Sequence, residues 1–148
     1  MNTDHPFWYL GGKVQVTVPG AATGGKLSVL TFDDPKDAAP PLHVHEREDE
    51  LWVVLDGRIT FFLDAEQHDL EAGQVAFGPR GVPHSYLVRS PRARLAAVYL
   101  PSGLDEHFSI NGTLVVPGDD TPAPFDIEAV VASAATYGLL VAGPPPTP

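Results

Sequence analysis

Residues 40–57 read PPLHVHEREDELWVVLDG, and the fold is decided there. Along a strand, successive side chains alternate faces, so His43 and His45 point one way and Leu42 and Val44 the other. Glu50 lies five positions after His45, and an odd separation would place it on the opposite face of one continuous strand. The strand is therefore expected to break: Glu46, Arg47, Glu48 and Asp49 read as a charged turn whose acids are solvated. Glu50 then opens the next strand on the face of Trp52 and Val54, and Gly57 closes the turn that follows.

A second cluster lies downstream, residues 73–84, GQVAFGPRGVPH. Two prolines and two glycines after Phe77 read as a tight loop that delivers His84 to the start of a strand, with Tyr86 and Val88 on its face. Arg80 reads as a turn residue. Taken alone, His43 and His45 would fit two polar residues on a half-exposed strand. With Glu50 and His84 in register, three imidazoles and one carboxylate on inward faces make a nitrogen and oxygen metal site. Such donors suit one divalent transition metal ion (Fe, Mn, Co, Ni, Cu or Zn) rather than a metal that prefers thiolate. The chain has no cysteine, which removes disulfides, thiolate sites and cysteine nucleophiles.

Outward from these clusters the pattern is β throughout. Fourteen glycines and 16 prolines cut the 148 residues into short runs. Residues 13–18, 26–32, 51–55, 58–63, 75–77, 84–88 and 94–100 read as strands bounded by Gly, Pro, Asp or Asn. That spacing predicts an all-β antiparallel sandwich or barrel. Residues 64–67 read as a hairpin turn. Trp52, Phe61, Phe77 and Tyr86 are expected in the barrel interior, and His5, His68 and His107 at the surface. Near the end the period changes: Ile127, Val130, Val131 and Ala134 follow helical spacing, with Asp126 to cap the start and Gly138 to end it. This predicts one C-terminal α-helix, about 126–137, on the outside of the sheet. Asn111-Gly112 reads as a helix stop after residues 104–108, with a hairpin turn as the alternative. Residues 113–125 read as a Pro-rich connector, and the GPPPTP tail as a loose or extended end.

The motifs carry a resemblance. His43-x-His45-x4-Glu50-x6-Gly57 resembles the first cupin motif, and Gly73-x5-Pro79-x-Gly81-x2-His84 resembles the second. The 15 residues between Gly57 and Gly73 match the short inter-motif loop of small single-domain cupins. The resemblance implies a jelly-roll β-barrel with a metal in its mouth, held by His43, His45, Glu50 and His84. It implies a single domain over residues 1–148, with a core barrel at about 13–100 and a connector and helix at 101–148. Residues 7–12, the segment 101–108 and the Ala-rich helix are similar to small bacterial cupins of the quercetin 2,3-dioxygenase type, which open a flavonol with O2. In that likeness Glu50 is also the base that takes the flavonol hydroxyl proton. Two positions depart from the motifs. Val88 stands where an asparagine is usual, which removes a pocket-facing polar group, and Gln74 stands where an acid is usual.

The expectation is thus a metal-dependent dioxygenase acting on a flavonol-like or other aromatic enol. Glu50 and Tyr86 are its candidate catalytic residues, and Trp52, Val54, Phe61, Tyr86 and Val88 form the substrate pocket. A redox-neutral cyclase, isomerase or lyase on a polyketide-like or carbonyl substrate is the second reading, and a non-catalytic small-molecule-binding cupin the third. A net charge of −10 argues against nucleic acid and anionic membrane surfaces as partners. The first twelve residues lack a basic start and a long apolar run, so no signal peptide is expected. The expected setting is cytoplasmic, the partner a small-molecule substrate, and the assembly implied by the resemblance a homodimer. No Ser-His-Asp order or phosphate-binding glycine loop is evident.

Overall fold

A computed structural model describes residues 5–148. Strands β1 (Phe7–Tyr9), β2 (Gly12–Val18) and β3 (Ser28–Pro35) open the chain, and β4 (Leu42–His45) and β5 (Asp49–Asp56) carry the first motif. They are followed by β6 (Arg58–Leu63), β7 (Glu66–Glu71), β8 (Val75–Gly78), β9 (His84–Val88) and β10 (Arg92–Leu100). Helix α1 (Leu104–Asn111), β11 (Thr113–Leu114), helix α2 (Ile127–Thr136) and β12 (Leu139–Gly143) complete the chain.

The strands form two antiparallel sheets. The larger runs β11-β1-β2-β3-β10-β5-β8 and the smaller β12-β4-β9-β6-β7. The alternating residues of both sheets meet in one core: Val14, Leu30, Trp52, Val54 and Leu95 from the larger, Ile59, Phe61, Tyr86 and Val88 from the smaller. The short, evenly punctuated strands predict an antiparallel sandwich or barrel, and this is the jelly roll that the cupin resemblance implies. Gly57, between β5 and β6, shows why the turn needs that residue. Its φ is +84°, and a Cβ there would lie 2.4 Å from the Arg92 carbonyl oxygen.

Several expectations shift. There are two helices among the described residues, not one: the Asn111-Gly112 helix stop holds, and α1 runs to Asn111. Helix α2 is capped as expected, the Asp126 carboxylate accepting from the amides of Glu128 and Ala129. Its Ile127, Val130, Val131 and Ala134 line the central cavity. The chain then continues as β12, which pairs with β4 in the register Leu139↔His45 and Val141↔His43. This strand, which the sequence reading did not anticipate, braces the strand that carries both histidines. Phe77 faces outward at 52% exposed. On edge strand β8 the inward positions are Ala76 and Gly78, opposite Trp52 and Glu50. His107 is fully buried rather than at the surface. It sits between Tyr9, whose hydroxyl is 2.8 Å from Nε2, and Ser133, whose hydroxyl is 3.1 Å from Nδ1. Burial pushes its imidazole down to about 4.

Candidate metal centre and cavity

Backbone register brings the candidate ligands together. His43 and His84 are directly opposite across β4 and β9. The 79–83 loop turns through a Val82-to-Pro79 backbone bond of 3.2 Å and ties back to β4 by Gly81 N–H donating to the His45 carbonyl at 2.8 Å. Glu50 reaches in from the other sheet, and Tyr99 sits opposite it across β10 and β5. One ligand atom from each of His43, His45, Glu50 and His84 falls within 4.8 Å of all the others. The charged turn after His45 corrects the parity problem as the sequence demands: Asp49 starts β5, and Glu50, Trp52 and Val54 are its buried face.

The tautomers follow from geometry. A carbonyl only accepts, so His43 Nδ1–H donates to Pro41 O at 2.7 Å and His84 Nδ1–H to Val82 O at 3.1 Å. In neutral rings this leaves both Nε2 atoms as lone pairs. Yet His84 Nε2 lies 2.8 Å from Glu50 Oε2, and His45 Nε2 lies 2.9 Å from the same oxygen. Acceptors that close need a proton or a metal ion between them. Moreover, His45 Nε2 and Glu50 Oε1 are buried without a hydrogen-bond partner among the described residues. Two atoms each about 2.1 Å from one metal ion and at right angles to each other lie about 3 Å apart. The donor set and its orphaned atoms therefore fit a divalent cation held by nitrogen and oxygen.

Without a metal the charge is balanced by a proton. Burial alone would raise the Glu50 carboxyl, but the His45 and His84 imidazoles reverse this and hold it well below the usual carboxylate range. Burial would lower His45, but the Glu50 and Glu48 carboxylates push it up to about 9. His43 goes the other way, down to about 3, through burial and the neighbouring imidazoles of His84 and His45. The Tyr99 hydroxyl is raised well above its ordinary value by burial and then by Glu50.

Glu48 is not the solvated turn charge that the acidic run implies. It is 3% exposed, and its Oε2 lies 3.6 Å from His45 Nδ1 without a hydrogen-bond partner. It is placed to orient that ring and keep its Nε2 turned inward. Glu46 is exposed as expected. Asp49 faces outward and pairs with Arg80 at 3.2 Å, which leaves Arg80 at the rim.

The cluster forms part of the wall of a cavity of about 340 Å³. Of the expected pocket residues, Trp52 and Tyr86 line it. Val54, Phe61 and Val88 do not, because they belong to the sealed core. Phe61 instead packs its ring on His84, 6.0 Å between centroids. An asparagine at Val88 would therefore face the core, not the cavity. Gln74 is also remote from the site: its side chain accepts from the Glu71 amide in the β7–β8 turn. Sequence reasoning missed the walls from other elements: Phe32 and Asp34 of β3, Tyr99 of β10, Phe108 of α1 and the face of α2. The alternation Leu30, Phe32, Asp34 carried a readable signal for two of these, since it continues the buried face of β3 past residue 32.

Two antiparallel sheets closed around three imidazoles and a carboxylate define a metal-binding jelly roll. Residues 30–104 match the cupin domain family, and the chain belongs to it. It is 36% identical over 106 residues to the Bacillus subtilis protein named quercetin 2,3-dioxygenase, covering 70% of this chain and 32% of that protein. The match thus spans about a third of that relative's length. Among solved structures, KdgF from Halomonas sp. superposes with a TM-score of 0.63 at 19% identity, over 72% of this chain and 96% of that one. A predicted oxalate decarboxylase from Thermotoga maritima gives a TM-score of 0.63 at 20% identity, over 68% and 96%. At those identities the likeness is one of fold.

Proposed function

We propose that this cupin is a metal-dependent dioxygenase acting with O2 on a flavonol-like or other planar aromatic enol. The observation that carries the proposal is the four-residue cluster, three of whose members, His43, His45 and Glu50, line a cavity whose other walls are mostly aromatic and aliphatic. The 36% identity to the Bacillus protein supports it. His43, His45, Glu50 and His84 would hold the ion. A divalent metal, when bound, supplies Lewis acidity that makes a coordinated hydroxyl easier to deprotonate. The chain's own residues do the rest. Glu50, whose carboxylate the His45 and His84 imidazoles hold ionised, would be the acceptor for a substrate hydroxyl. Trp52, Phe32 and Phe108 are aromatic walls for a planar substrate, and the face of α2 that lines the cavity would limit water.

Oxygen consumption separates this from the redox-neutral reading. Metal-reconstituted protein supplied with quercetin is expected to take up one O2 per flavonol lost. A flavonol that persists with every one of Ni, Mn, Co and Fe would overturn the proposal and leave carbonyl chemistry without O2.

A further inference from the structure

One polar feature of the cavity is not explained by the metal centre. Asp34 is 7% exposed, on the buried face of β3, and lines the cavity. Its Oδ2 accepts from the Tyr86 hydroxyl at 2.6 Å, and no other hydrogen bond to its side chain is found among the described residues. A carboxylate has room for about four. The carboxylate packs against the backbone of β2: a Cβ on Gly12 would lie 1.9 Å from Asp34 Oδ1, so a larger residue there would force the carboxylate to move. Nearby, the rings of Trp52 and Tyr86 meet edge-to-face, 5.0 Å between centroids, and the buried indole N–H of Trp52 has no hydrogen-bond partner among the described residues. A buried, under-used acceptor therefore sits beside Tyr86 in the cavity wall. Tyr86 follows His84 by two residues on β9, which sets this pair about 7 Å along the strand from the cluster.

We propose that Asp34, held in place by Tyr86, is a second recognition point, which accepts a hydrogen bond from a ring hydroxyl of a polyphenolic ligand whose enol end lies at His43, His45, Glu50 and His84. A phenol hydroxyl suits this acceptor, since it can donate to the carboxylate. The inference rests on the aromatic-enol reading above and narrows it: the preferred ligand carries a hydroxyl remote from the enol. The burial of Asp34 supports it, because burial pushes this carboxyl up to about 6, a cost that a ligand hydroxyl would offset.

The test is anaerobic binding of three flavonols to the zinc-loaded protein at pH 8, by flavonol fluorescence: 3-hydroxyflavone, 3,7-dihydroxyflavone and 3,4′-dihydroxyflavone. At least one dihydroxy compound is expected to bind roughly 10- to 100-fold more tightly than 3-hydroxyflavone, as one hydrogen bond to a charged acceptor predicts. That preference is expected to disappear in Asp34→Leu. In Asp34→Asn, whose shape protects the fold and whose amide keeps the Tyr86 contact, it is expected to fall to a few-fold. Equal binding of all three by the unaltered protein overturns this inference and leaves the aromatic-enol reading standing, as does a preference that survives both substitutions. Failure of all three to bind overturns both.

Discussion

Asp34 makes a measurable prediction about stability. Its folded carboxyl sits at about 6 because burial raises it, partly opposed by the Tyr86 hydrogen bond, against an ordinary value of 3.8. The protonated form is thus favoured by folding. Below pH 3.8 the carboxyl is neutral in both states and burial costs nothing through ionisation. As pH rises through the window from 3.8 to 6, the unfolded chain ionises first and stability falls; above 6 the loss is complete. Linkage gives a loss of about 1.6 kcal/mol at pH 5 and about 3 kcal/mol at pH 8. Asparagine keeps the acceptor for Tyr86 and cannot ionise. Asp34→Asn should therefore stabilise the metal-free protein, by about 1.4 kcal/mol more at pH 8 than at pH 5. Urea denaturation of both proteins at each pH, with chelator present, reads the difference directly. A substitution that destabilises at pH 8, or whose effect is the same at both pH values, would refute the reasoning.

Other expectations concern the cluster. His43→Ala and His84→Ala should each abolish tight metal binding and leave a folded β protein, checked by elemental analysis and circular dichroism; full metal content in either would remove the four-ligand assignment. Glu48→Ala should weaken metal affinity about 10- to 100-fold in a chelator competition, because the His45 ring loses its orienting carboxylate. Unchanged affinity would make Glu48 a bystander. Because His45 holds a proton up to about 9 in the metal-free protein, affinity should rise about tenfold per pH unit between 7 and 8, with about one proton released per metal bound. A flat profile would place that proton elsewhere. Glu50→Gln should lower flavonol turnover more than it lowers metal content; a normal rate would end its role as base.

Much of this was legible in the sequence because parity is a strict constraint. The five-residue step from His45 to Glu50 required a break, and the break put Glu50, Trp52 and Val54 on one buried face. The opposition of His43 and His84 was not legible, since register between β4 and β9 depends on the 79–83 loop tying back to His45. Charge misled at Glu48: three acids in a row look solvated, but the chain turns there so that one of them folds inward beside His45. Asp33-Asp34-Pro35 looks like a strand end, which hid the cavity carboxyl, although β3 keeps its alternation to that point. β12 was hidden by position. Residues 139–143 follow the helix and its Gly138 stop with no strand signal of their own until β4 offers an edge for them to pair with. Phe77 failed for the opposite reason, an aromatic on the outward parity of an edge strand.

The most direct test of the central claim is a titration of the chelator-stripped protein with Co(II), followed without O2 by a flavonol. One equivalent per chain should bind, with the visible absorption of a nitrogen and oxygen ligand set, and adding the flavonol should shift those bands as the substrate reaches the metal. Absence of saturable binding, or bands that ignore the flavonol, would contradict the account, since the cluster would then be neither a metal centre nor a wall of the substrate cavity.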